Sequence, residues 1–106
     1  MEYIENFRFK YTLLNGRLHS YNDLPAVIWT NRDQFWYKEG ERHRDKDLPA
    51  IINANGDQYW CKEGKRHRDN DLPAVICANG HAEWWVDGVM IKECGDYKPR
   101  TKSARN

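Results

Sequence analysis

The chain has 106 residues, with 17 Lys and Arg against 16 Asp and Glu and a net charge of +1. That length makes one domain with a modest core, and the near balance of charge argues against a disordered chain. Leu, Ile, Val and Phe contribute only 19 residues, so five Trp and six Tyr must supply much of the apolar surface.

No run is apolar enough to cross a membrane, and Met1 to Asn6 has neither the basic start nor the apolar stretch of a signal peptide. Cys61, Cys77 and Cys94 are odd in number and form no close pair. They indicate neither a disulfide framework nor a zinc knuckle, and a reducing cytosol, hence a cytoplasmic protein, is expected.

In chain order, Phe7 to Asn15 reads as the second half of a repeat unit, and three units in register follow: 16–39, 40–63 and 64–87. The tetrapeptide Asp-Leu-Pro-Ala recurs at Asp23, Asp47 and Asp71 with a 24-residue period. Nine positions are common to all three units: Gly16/Gly40/Gly64, His19/His43/His67, Asp23/Asp47/Asp71, Leu24/Leu48/Leu72, Pro25/Pro49/Pro73, Ala26/Ala50/Ala74, Ile28/Ile52/Ile76, Asn31/Asn55/Asn79 and Trp36/Trp60/Trp84. A fourth unit begins at Gly88 and soon departs from the pattern. The period predicts one repeat domain over 1–97, with partial caps at 1–15 and 88–97 and a disordered basic tail at 98–106.

Within a unit, a strand containing Ile51 and Ile52 leads through Asn55-Gly56 to an aromatic strand around Tyr59 and Trp60, which is a β-hairpin signal repeated at Asn79-Gly80. A two-residue Asn-Gly loop would put Trp60 on the face opposite Leu48, Ala50 and Ile52. A three-residue loop over Ala54 to Gly56, with Gly56 left-handed, sets Ala50 across from Trp60 and gathers the recurring apolar side chains on one surface. The second register is the expected one. The first unit has Asn31-Arg32 in the turn, and arginine tolerates positive φ poorly, so a looser or different turn is expected there. Gly40, Gly64 and Gly88 suit tight turns into a short Arg-His-Arg strand, followed by polar loops such as Asp45 to Asp47. Stacked in order, these hairpins make an all-β, elongated, single-layer, twisted antiparallel sheet with a capping N-terminal strand and a flexible C-terminal tail.

Gly-x-x-His-Arg, Leu-Pro-Ala, Asn-Gly and Trp in that order over residues 16 to about 92 resemble the MORN-like hairpin repeats, in the variant found in accessory proteins of phages and large viruses. The usual Tyr-x-Gly and His-Gly of that family are replaced here, with Arg44 and Arg68 following the His. The resemblance implies an interaction scaffold without catalysis, one that binds and modulates a host protein such as a defence factor.

His43-Arg44-Asp45 and His67-Arg68-Asp69 match a kinase catalytic-loop tripeptide, but the repeat places Ala where the later Asn belongs and no Gly-rich phosphate loop exists. His19, His43 and His67 recur at stacked positions on the order of 10 Å apart, too far to share a metal, so hydrogen bonds to loop acids such as Asp47 and Asp71 are expected. No cofactor and no metal are expected. Cys61 and Cys77 fall at positions that other units fill with Tyr37, Trp85, Trp29 and Asn53, so they are packing or surface positions and not nucleophiles.

Trp29, Phe35, Tyr37, Tyr59 and Trp85 lie on the face opposite the recurring residues in the expected register. Two readings of them stand side by side: a second mini-core of lateral contacts, or a patch for a protein partner. Lys98, Arg100, Lys102 and Arg105 make the end basic and leave −3 on the first 97 residues, so nucleic acid is the alternative partner. Self-association through open sheet edges is a third possibility, and no membrane partner is expected.

Overall fold

Two kinds of hairpin alternate along the chain, and their turn chemistry sets the architecture. A computed structural model describes residues 2–5 and 9–98. Its strands are β1 Glu2–Glu5, β2 Phe9–Leu14, β3 Arg17–Leu18, β4 Val27–Trp29, β5 Gln34–Phe35, β6 Tyr37–Lys38 and β7 Glu41–Arg42. They continue as β8 Ile51–Ile52, β9 Gln58–Tyr59, β10 Cys61–Lys62, β11 Lys65–Arg66, β12 Val75–Ile76, β13 Ala82–Val86 and β14 Val89–Cys94. All pairing is antiparallel, and the main sheet runs β1-β2-β4-β5-β8-β9-β12-β13-β14, with β3 beside β2. β6-β7 and β10-β11 form separate two-stranded ladders, and the whole measures 45 × 26 × 25 Å. The fold is the expected all-β, single-layer, twisted sheet of hairpins.

The first kind of hairpin has the three-residue loop. Ile51 faces Tyr59 and Ile52 faces Gln58, while Gly56 N–H donates to the Asn53 carbonyl at 2.9 Å with Gly56 at φ +101°. This is the expected register. The recurring Asn closes each turn, since Asn31, Asn55 and Asn79 all accept through Oδ1 from the backbone N–H two residues on, at 3.0 Å.

That side-chain bond corrects the expectation for the first turn. Arg32 stands at φ +79° in the place of Gly56 and Gly80, and its N–H donates to the Trp29 carbonyl at 2.9 Å as theirs do to Asn53 and Cys77. The turn is therefore the same one, held by Asn31 and by strand pairing against arginine's preference. Left-handed backbone costs a side-chain-bearing residue about 1–2 kcal/mol, partly offset by the entropy a glycine loses. Arg32→Gly is expected to stabilise the fold by about 0.5–1 kcal/mol, read as a rise in urea midpoint at unchanged slope.

The second kind of hairpin has two-residue loops with both residues at positive φ: Asn15-Gly16, Glu39-Gly40, Glu63-Gly64 and Asp87-Gly88. Beyond them the strands are Glu41–Arg42 and Lys65–Arg66, so they end one residue before the His and not after it as the Arg-His-Arg reading had it. His43 and His67 then donate through their backbone N–H groups to the Trp36 and Trp60 carbonyls.

Units dock by repeating the same bonds. Trp36 and Trp60 N–H groups donate to the Ala50 and Ala74 carbonyls at 2.7 Å, and Gly40, Gly64 and Gly88 N–H groups donate to Leu18, Arg42 and Arg66 carbonyls. On the other edge, Asp33 and Asp57 accept from the Ala54 and Ala78 N–H groups of the next turn. At both ends the alternation stops because β2 and β14 are single strands of six residues, β14 with a bulge at Ile91, where internal units break into two short strands.

Side chains are buried on both faces of the sheet. Ala26, Ala50 and Ala74 are fully covered and Trp36, Trp60 and Trp84 nearly so, while Val27, Ile51 and Val75 are buried on the opposite face. Small Ala beside large Trp leaves room for the indole, and each buried large apolar side chain contributes about 1.5–3 kcal/mol.

Candidate functional site

Around each Asp-Leu-Pro-Ala the chain builds a junction. The residue before the Asp and the Asp itself are both left-handed: Asn22-Asp23, Lys46-Asp47 and Asn70-Asp71 have φ between 56° and 65°. This pair turns the Asp carbonyl toward the sheet, where the indole of the same unit donates to it: Trp36 Nε1 to Asp23, Trp60 to Asp47 and Trp84 to Asp71, at 3.0–3.1 Å. Pro follows Leu at the strand entry, where its missing N–H leaves no rung unmade.

The carboxylates face the next unit. Arg44 forks onto Asp23 through Nε and Nη2 at 3.0 and 3.2 Å, donates Nη1 to the Pro49 carbonyl at 3.1 Å, and lies 3.8 Å over the Trp36 ring. Arg68 repeats all of this with Asp47, Pro73 and Trp60. One guanidinium thus joins an acid, an indole and the next unit's strand entry. In the last unit Lys92 stands at the arginine position, its ammonium 4.4 Å from the Trp84 ring, and Tyr97 meets that ring edge-on at 5.6 Å.

The histidines are junction residues too. His19, His43 and His67 accept through Nδ1 from the Glu39, Glu63 and Asp87 N–H groups at 3.0–3.1 Å, which fixes the first residue of the next two-residue turn. With Nδ1 accepting, Nε2 carries the proton in the neutral ring and donates to Asp45 and Asp69 at 2.7 and 2.6 Å. The expected partners, Asp47 and Asp71, are corrected: the left-handed pair carries Asp47 away to Arg68. In the first unit Tyr21 occupies the place of Asp45 and meets His19 edge-on at 4.9 Å. Among the described residues no three His, Cys, Asp or Glu side chains cluster to hold a metal ion.

These contacts hold several carboxyls below their ordinary range. The Asp45 and Asp69 carboxyls are lowered chiefly by the hydrogen bonds from His43 and His67, and Asp23 by the bond from Arg44. A depressed folded value stabilises the fold above the ordinary pKa of about 3.9, and the gain is lost as pH falls through the depressed folded values. Thermal midpoints are expected to vary little with carboxyl ionisation from pH 7 to 5 and to drop below about pH 4. Asp23→Asn should flatten that acid limb, and because these acids are largely exposed, added salt should shrink it.

The five aromatic positions fall on several elements. Phe35 pairs with both Val27 and Ile51, and Tyr59 with both Ile51 and Val75, so these share one face. Trp29 pairs with Phe9, with the rings 4.8 Å apart, and is 41 % exposed, whereas the other four are half-buried. The Arg66 guanidinium lies 5.1 Å from both the Tyr59 and Trp85 rings, and Trp85 Nε1 donates to Glu83 at 2.8 Å. Arg42 approaches Phe35 at 5.9 Å and pairs in register with Tyr37. Arg66 joins Tyr59 to Trp85, while Trp29 stands with Phe9 at the other end of the face.

Burial pushes both the Cys61 and the Cys77 thiols up, away from the thiolate form a nucleophile needs. Lys98 is exposed, and the other basic-tail positions, Arg100, Lys102 and Arg105, lie outside the described residues. Arg44 and Arg68 stand in the sequence motif as the residues after the His, but their role at the junction is not legible there; their 24-residue spacing, continued at Lys92, is the available signal. No family model, curated protein or solved structure matches the chain.

Proposed function

We propose that the chain is a non-enzymatic protein-binding module, of the accessory type that its MORN-like motif suggests, using the face of Trp29, Phe35, Tyr37, Tyr59 and Trp85 to hold a host protein. The observation that carries this reading is a division of labour. Recurring His, Asp, Trp and the paired Arg side chains are engaged in holding units together, while residues that differ between units form the opposite face, with Trp29 41 % exposed at one end. Catalysis needs polar groups free to meet a substrate, and the clustered ones here are bonded to each other. Trp and Tyr are the residues that dominate binding hot spots, and Arg42 and Arg66 beside them add a type equally favoured there.

The test is affinity capture from host lysate with the intact chain and with Trp29→Ala and Trp85→Ala forms checked for folding by circular dichroism. A partner retained by the intact chain and lost by either variant supports the face. Equal retention by all three places the contact elsewhere, and no specific partner at all counts against the module.

A further inference from the structure

We propose that the N-terminal end of the array carries a socket for a tryptophan side chain of a protein partner, on the face opposite the five aromatic positions. A groove of about 280 Å³ is lined there by Tyr3, Thr12, Tyr21, Leu24, Pro25 and Ile28, among others. This rests on the reading of the chain as a protein-binding module, but it uses different residues.

The chain supplies its own comparison. Thr12 N–H donates to the Ala26 carbonyl at 2.9 Å, as Trp36 donates to Ala50 and Trp60 to Ala74. His19 N–H donates to the Thr12 carbonyl, as His43 and His67 do to Trp36 and Trp60. Thr12 is therefore the structural counterpart of the recurring tryptophan, 24 residues before Trp36. Ser20 likewise stands where Arg44 and Arg68 stand, and its hydroxyl accepts from the Tyr37 N–H and does not reach a strand entry. So the first Leu-Pro-Ala meets a threonine and a serine where the second and third meet an indole with a guanidinium stacked on it.

Exposure follows this difference. Pro49 and Pro73 are buried, and Leu48 and Leu72 are half-buried, whereas Pro25 is half-buried and Leu24 is 63 % exposed. The covering side chain is among the differences, with Thr12 and Ser20 where the internal copies have Trp and Arg. The groove continues an interface made twice inside the molecule, where Trp36 and Trp60 bond to Ala50 and Ala74 and each ring carries a guanidinium that also reaches the carbonyl of the next Pro, so the occupant it fits is a flat aromatic ring with a cation on its outer face. An indole suits this better than a smaller ring because indole is what fills both internal copies. Thr12 Oγ is already donating to the His19 carbonyl at 2.7 Å and the Tyr21 hydroxyl to the Leu13 carbonyl at 2.8 Å, which leaves a mainly apolar floor with Lys10 as the charged residue of the lining.

Titration of the isotopically labelled full chain with N-acetyl-tryptophanamide, followed by amide NMR, tests the assignment. Saturable shifts confined to Thr12, Leu24, Ala26, Ile28 and their neighbours are expected by about 10 mM, with N-acetyl-leucinamide producing none. Leu24→Glu changes an exposed side chain, should leave the spectrum of the rest intact, and should weaken the response at least tenfold. Thr12→Trp should abolish it and raise the melting temperature by covering the groove from within; if that form does not fold, Leu24→Glu alone decides. Absence of saturable shifts, equal shifts in Leu24→Glu, or tighter binding of free tryptophan than of the capped residue overturns the proposal, the last because it points to a small metabolite. Loss of this site would leave the aromatic-face capture result unaffected, and the reverse also holds.

Discussion

Trp60→Ala is expected to cost about 3–5 kcal/mol, the usual range for truncating a buried Trp, out of a total of about 5–15 kcal/mol for a domain. The ring is 7 % exposed, lies in the middle unit and has three separate attachments. Its backbone N–H holds the next unit's strand through Ala74, its Nε1 holds the left-handed turn through the Asp47 carbonyl, and Arg68 stacks on its outer face at 3.9 Å. Truncation keeps only the first. In a stack where each unit touches its neighbours alone, a cut at the middle unit weakens the interfaces on both sides, so one end unit is not expected to stay folded by itself. Trp60→Phe separates the contributions, because it keeps an aromatic ring and removes the Nε1 donor. It is expected to cost about 1–2 kcal/mol, most of it the Asp47 carbonyl left with one partner fewer. Chemical denaturation of the two variants measures both quantities. A Phe variant as damaging as the Ala variant would mean that the hydrogen bond, and not the buried ring, carries the position.

Periodicity and parity carried the fold reading far. A 24-residue repeat with Ala and Trp on opposed strands admits one register that puts both on the same side, and Ile51 facing Tyr59 is that register. What escaped was conformation imposed by neighbours. Arg32 enters the left-handed region because Asn31 and the strands on either side hold the turn, and propensity alone reads only Arg32. His43 lies two residues before Asp45 and four before Asp47, and spacing cannot rank them. The ranking follows from the left-handed Lys46-Asp47 pair, which aims one acid back at the ring and the other across to the next unit. The junction role of Arg44 and Arg68 is hidden for a related reason, since Ser20 breaks their recurrence in the first unit. The same break exposes Leu24, so the most informative residues at the N-terminal end are those where the pattern fails.

Arg68→Ala is the second large loss expected, at about 2.5–4.5 kcal/mol. Three interactions go at once: a fork to the half-exposed Asp47, worth about 0.5–1 kcal/mol, a charged hydrogen bond to the Pro73 carbonyl, about 1.5 kcal/mol, and the stack on Trp60, about 0.5–2 kcal/mol. The arginine side chain is only 13 % exposed while Asp47 is 48 % exposed. The carboxylate left behind can therefore rehydrate, which keeps the cost below that of breaking a buried pair. Arg68→Lys should recover less than half of the loss, because an ammonium on a flexible stem cannot fork, stack and reach the carbonyl together. Asp47→Asn should cost under about 1 kcal/mol and be the salt-sensitive part. Lys92→Arg tests the converse in the last unit, where Asp71 and Trp84 already stand in the junction geometry and a lysine holds the arginine's place. A gain of up to about 1 kcal/mol is expected there by denaturant titration. If Arg68→Lys proves neutral, or Lys92→Arg gives nothing, positive charge alone suffices at the junction and the planar, three-way contact of the guanidinium is not what joins one unit to the next.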